Sequence, residues 1–161
     1  MSFAALDIPS PLQQNSRAGN TTEKALAGPA ANFTLVILSA VGIRVGMLLG
    51  YFHMPAYVGF TRITEASTPG MAGFAATFLS IIFLLNLLLG TFNLLPVPPL
   101  DGNTGITLFM SEGAALRFMN WSHSQGFGML GLLLAWYVYG EMFPHIFRFA
   151  LAALYPGSHW G

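Results

Sequence analysis

The group best placed to do chemistry in this 161-residue chain is a single aspartate. Asp101 closes the stretch NLLPVPPLDG (residues 93–102), where prolines occupy positions 96, 98 and 99. Each proline lacks an N–H and disfavours helix in the residue before it, so the apolar run ahead of them must stop here. A backbone break at membrane depth is tolerated only where protein or a watery cavity surrounds it. A carboxylate buried there needs a cation, a metal or several hydrogen-bond donors. At the membrane surface it would be an ordinary solvated turn aspartate.

The other reactive side chains do not assemble a second centre on spacing alone. The histidines are His53, His123, His145 and His159; no two stand four apart, and none is followed directly by glutamate. Glu141 and His145 are four apart, but Pro144 intervenes, and a structural role is expected for both. His53 is expected at an interface, His123 in the polar cluster NWSHSQG and His159 in the C-terminal tail. There is no cysteine, which excludes disulfides and thiolate metal sites. No serine sits in a nucleophile-elbow setting.

These residues are positioned by an unusually apolar chain. Hydrophobic residues make up 54% and charged residues 7%, against about 25% charged in a soluble domain. So few charges would not cover a water-facing surface, so lipid is the expected surroundings. Six Lys+Arg balance six Asp+Glu, leaving no basic field for nucleic acid. The pattern predicts an all-α integral membrane fold, multi-pass, with about three transmembrane helices plus short interfacial helices. The spans are expected at about residues 30–52, 71–95 and 119–140. The second carries no formal charge over 25 residues, which at 1.5 Å per residue reaches about 37 Å, enough for a bilayer core.

Gly28-Pro29 is expected to open the first span, and residues 141–155 to form a kinked or interfacial helix. Residues 1–27 read as a polar, irregular segment without the apolar run of a signal peptide, residues 28–155 as the membrane domain, and 156–161 as a tail. Tyr51, Phe52, Tyr57, Trp121, Tyr137 and Tyr139 fall where interfacial aromatic belts are expected. The segment 96–118 reads as carrying a short interfacial helix.

Gly42, Gly46 and Gly50 recur every four residues on the first span, a small-residue stripe where another helix can approach. Packing within this chain is the favoured use of it, contact with another subunit the alternative. Arg44 lies about 200° around the helix from Gly42 and is expected to snorkel or to find an ion-pair partner.

AGPAANF (residues 27–33), followed about sixty residues later by NLLPVPPLDG, resembles the site-2 protease family of intramembrane zinc metalloproteases. That family pairs a GPxxN helix with a later NxxPxxPLDG segment, and the resemblance covers roughly residues 20–115. It implies that Asp101 occupies the position of the third zinc ligand and that Asn32 and Asn93 line the site. The other two ligands and the general base come, in the family, from an HExxH helix ahead of the GPxxN motif. Here 26 residues precede Ala27 and none is a histidine. A catalytic zinc site needs three protein ligands and a water.

The expectation is therefore a non-catalytic relative, in which Asp101 is a vacant ligand position held by hydrogen bonds or a cationic neighbour. It would serve as a structural or accessory subunit among other membrane protein subunits, with no cofactor. The alternative is the rear part of a zinc endopeptidase whose HExxH helix is missing or on another chain, with zinc as cofactor. A small transporter component using Arg44, Asp101 and Glu141 ranks last.

Overall fold

The computed structural model describes the backbone of residues 11–124 and 128–157. Residues 1–10 and 158–161 of the two expected terminal segments lie outside the described residues, as do His159 and the side chains of Trp121 and His123.

Helices dominate. α1 spans Pro11–Leu48 and α2 Met71–Asn93; α3 is Asp101–Gly105, followed by a 3₁₀ turn at Ile106–Phe109. α4 is Glu112–Ser124 and α5 Gly128–Leu154. Between α1 and α2 lies a two-stranded antiparallel sheet, β1 (Phe52–His53) with β2 (Glu65–Ala66). The connection between the first two long helices thus carries a small hairpin, and the fold is not purely helical.

α1 and α2 form the backbone of the molecule. Two stretches, Leu26–Leu48 and Met71–Asn93, are long and apolar enough to cross a membrane, each with 23 residues, or about 34 Å. In their most apolar windows only 17% and 33% of residues are buried within the chain, whereas the core helix of a soluble domain would be mostly covered. The exposed surface is large and hydrophobic, including Leu38, Leu48, Met71 and Phe74.

Several boundaries differ from the sequence reading. Residues 11–27 are helical rather than irregular, because Pro11 sits in the first turn, where a missing N–H costs nothing, and Leu, Gln, Arg, Glu, Lys and Ala follow it. Pro29 therefore lies inside α1 and does not open it. Its ring removes the bond to the carbonyl four residues back, a local fault that the continuous helix absorbs. The third expected span is divided: residues 119–124 belong to α4, and α5 begins at Gly128. α5 continues through Pro144 to Leu154, so residues 141–154 are not a separate element.

α1 ends in a full Schellman closure. The Tyr51 amide donates to the Gly46 carbonyl at 2.9 Å and the Gly50 amide to that of Met47 at 3.0 Å, with Gly50 at φ +78°. Gly50 is thus a left-handed turn residue beyond the helix, not the third member of a helical stripe. The other two glycines pack within the chain. A Cβ on Gly42 would lie 3.3 Å from Leu79 of α2, and one on Gly46 would overlap the Phe52 ring.

The main core gathers at this end. Ile43 of α1, Phe83, Leu84 and Leu87 of α2, Ile63 of the hairpin, Leu151 and Leu154 of α5 and Tyr155 just after it are buried together. Ser80, fully buried on α2, accepts hydrogen bonds from the Ile63 amide (3.0 Å) and the Thr64 amide (3.2 Å) and donates to the Ala76 carbonyl (2.7 Å). The Tyr155 hydroxyl donates to the Ile63 carbonyl at 2.8 Å. Burial pushes the Tyr155 phenol above its usual range, partly offset by Thr64 and by the Arg44 charge. Arg44 is exposed four residues before the end of α1, which suits a snorkelling side chain.

Farther along, α2 and α5 are tied by polar contacts inside the apolar bundle. Tyr139 donates to the Leu88 carbonyl at 2.9 Å and lies 2.6 Å from the Thr91 hydroxyl, with Phe92 edge-on to its ring.

Candidate functional site

The two motifs meet at the opposite end of the α1–α2 pair. α2 ends at Asn93, and the segment 94–100 turns the chain back, through a cis Pro98–Pro99 bond, to start α3 at Asp101. Short backbone bonds hold this turn: the Val97 amide to the Leu95 carbonyl and the Leu100 amide to the Val97 carbonyl, both 2.8 Å. The three prolines at 96, 98 and 99 leave no regular helical ladder here.

Gly102 makes the return possible. A Cβ at that position would overlap the carbonyl groups of Leu94 and Leu95. The glycine of the Leu-Asp-Gly triplet is therefore required by close approach of one backbone to another. Gly102, Asn103 and Gly105 are buried, so α3 sits inside the fold and not on its surface.

The turn delivers Asp101 against α1. A Cβ on Gly28 would lie 2.8 Å from Asp101 Oδ2. Gly28 thus leaves room for the carboxylate beside the first turn of the apolar stretch. One turn further along α1, Asn32 meets α2: a Cβ on Gly90 would lie 3.2 Å from Asn32 Cβ and 3.4 Å from the Phe33 ring. The pair Gly28 and Asn32, four apart, shares one face of α1. Asn93 lies one turn beyond Gly90 and is half-buried. Asp101, Asn32 and Asn93 therefore stand at the same end of the helix pair, with Asp101 on Gly28 and Asn32 on Gly90. Asp101 itself is half-buried.

Beside this junction lies an apolar cavity of about 360 Å³ lined by Leu26, Leu94, Pro96, Gly102, Ile106 and Phe109. It opens to the outside, and Phe109 is almost fully exposed. On the far side of the turn, Gly131 of α5 admits Val97, whose Cγ1 would lie 2.9 Å from a Cβ there.

The remaining sequence candidates are elsewhere. His53 is on β1, at the hairpin end, where its Nδ1 lies 3.2 Å from the Met54 carbonyl. Glu141 and His145 are exposed on the second half of α5. Among the described residues, no group of three or more His, Asp or Glu side chains is arranged to hold a metal ion. The described residues therefore do not by themselves fit the zinc ion that the resemblance implies: Asp101 is one ligand where three protein ligands are needed.

Sequence reasoning missed the glycines that do the packing here. Gly28 reads as a helix start, yet it is the space that Asp101 fills; Gly90 reads as one more apolar-span residue, yet it admits Asn32. The available signal was a glycine within an apolar helix, where a packing reason is the usual explanation. No family model, curated protein or solved structure matches the chain.

Proposed function

We propose that this chain is a site-2-protease-like membrane scaffold that does not cleave by itself and acts as a structural or accessory subunit of a larger membrane assembly. The observation that carries the reading is the seating of Asp101 on Gly28. It brings the Leu-Asp-Gly turn onto the GPxxN-like helix, the pairing the resemblance implies. Asn32 and Asn93 flank that contact as site-lining residues, and Asp101 is the former third-ligand position. α5 serves as a third span, its exposed Leu133, Leu134, Trp136 and Phe149 facing lipid or neighbouring subunits.

The scaffold has one chemical capability of its own. It holds a carboxylate beside an apolar cavity, with the Asn32 amide one turn along α1 from the Gly28 contact. A bound zinc would supply Lewis-acid chemistry, but its remaining ligands and a general base would have to come from outside the residues described.

A second reading is favoured by the same half-buried carboxylate and the open cavity beside it: the rear part of a zinc endopeptidase, completed by an HExxH helix. Metal analysis of the protein purified from its native membrane, together with any chains that copurify, separates the two. Substoichiometric zinc, equal in the parent and in Asp101→Ala, supports the scaffold. One zinc per chain, lost in Asp101→Ala, overturns it in favour of the enzyme, as would an in-frame, translated HExxH ahead of residue 1.

A further inference from the structure

We propose that the hairpin between α1 and α2 is a membrane-interface foot, whose outer aromatic side chains and Arg62 sit among phospholipid headgroups. The inference rests on the membrane reading of α1 and α2, not on the resemblance to proteases.

The hairpin connects two apolar helical stretches of 23 residues each, Leu26–Leu48 and Met71–Asn93. Whatever medium surrounds those helices changes along the hairpin: Ile63 and Thr64 reach back to Ser80, well inside α2, while residues 49–51 and 67–70 lie at the helix ends. Its inward residues are accounted for: Phe52, Pro55, Ile63 and Thr64 are buried, anchored by Ser80 and Tyr155. Its outward residues are Tyr51, Met54, Tyr57 and Phe60, all 45–64% exposed. Exposed Leu48 and Leu49 stand just before it, and exposed Met71 and Phe74 open α2 after it.

The polar chemistry around it suits headgroups better than hydrocarbon. The Arg62 guanidinium lies 4.7 Å from the centre of the Tyr57 ring and donates to its hydroxyl. Five guanidinium donors are available, and Tyr57 takes one. The isolated bridge between Gly59 and Arg62, with amide–carbonyl bonds of 3.2 and 3.0 Å in both directions, presents Phe60 at the tip of a tight turn. Tyrosine with an amphipathic ring, an apolar tip and a nearby cation are the residue types enriched where acyl chains give way to phosphate. Ser67 and Thr68, exposed on the following segment, would lie on the watery side.

The chain contains no cysteine, so single nitroxide labels can be placed cleanly. The test places cysteine at Phe60, Thr68 or Leu38, one at a time. The full chain is reconstituted in vesicles of phosphatidylcholine and phosphatidylglycerol. Collision with oxygen, which favours lipid, is compared with collision with a neutral nickel chelate, which favours water. The expected result is a label at 60 that is more oxygen-accessible and less nickel-accessible than the label at 68, and shallower than the label at 38. A label at 60 as nickel-accessible as that at 68, while position 38 remains in lipid, overturns the foot and leaves the membrane reading standing. Exclusion of both reagents at 60 overturns it in favour of a protein partner. A label at 38 that is itself in water overturns both.

Discussion

At the hairpin end of the α1–α2 pair, Ile43, Ile63, Phe83, Leu87, Leu151 and Tyr155 interdigitate, and Ser80 and Tyr155 close the hairpin's backbone groups. At the Asp101 end the same two helices are joined differently. Contact there runs through glycines: Gly28 under Asp101, Gly90 under Asn32, Gly102 under the Leu94 carbonyl. Large side chains such as Phe109 and Leu94 line the cavity beside the junction and stay exposed. The first end is held by apolar burial and satisfied hydrogen bonds. The second trades side-chain packing for close backbone approach, which fixes polar groups in place and leaves a cavity beside them. Stability and site are thus segregated to opposite ends of the α1–α2 pair.

This contrast makes graded predictions. The largest effect is expected from Gly102→Ala, where the new methyl meets backbone that has no flexible end to yield. A loss of about 3 kcal/mol is the expected scale for such overpacking, measured by unfolding in mixed detergent micelles. A loss as small as that of an exposed substitution would mean that the turn is not held as described.

Ser80→Ala comes next. It leaves the buried Ile63 and Thr64 amides without their acceptor, at about 1–3 kcal/mol for a buried unsatisfied donor. The hairpin end should loosen, read as faster amide exchange at 63 and 64, with the Asp101 end unchanged.

Gly28→Ala should cost about 1–2 kcal/mol through the contact with Asp101 Oδ2. The sharper readout is coupling: in the Asp101→Ala background the same substitution should cost much less. Equal costs in both backgrounds would separate the two residues.

The smallest effect is expected at Tyr155→Phe, about 1 kcal/mol for one hydrogen bond to the Ile63 carbonyl. Because burial raises the folded phenol's pKa above the unfolded value, its contribution is fully present below about pH 10. It declines as pH rises through and beyond that value, because the unfolded state then loses its proton first. Tyr155→Phe should remove this alkaline component.

The sequence was legible where physics is local. Long apolar runs announced α1 and α2, and the prolines at 96, 98 and 99 announced the break that ends α2 near Asn93. Less legible was everything that depends on what a residue meets. Pro29 signals a helix start on propensity, yet a long helix carries it in its interior. Gly50 keeps the four-residue spacing of Gly42 and Gly46, yet the Schellman closure places it beyond the helix. The hairpin at Phe52–Ala66 carries only two-residue strands, too short for an alternation pattern. Its fold depends on Ser80 and Tyr155, which lie 16 and 92 residues away from their partners in sequence. At the candidate site, motif spacing placed Asp101 after the break, but its neighbour Gly28 emerged only from the packing of α3 on α1.

The seating of Asp101 on α1 is the central claim, and the cysteine-free sequence allows it to be tested by cross-linking. A Gly28→Cys/Asp101→Cys double variant in membranes, treated with a mild oxidant, should form an intramolecular disulfide. A Gly28→Cys/Thr68→Cys pair, with its second cysteine at the hairpin end, should not. Efficient cross-linking of the first pair alone is the predicted result. Equal or absent cross-linking in both would contradict the juxtaposition of the two motifs and the scaffold built on it.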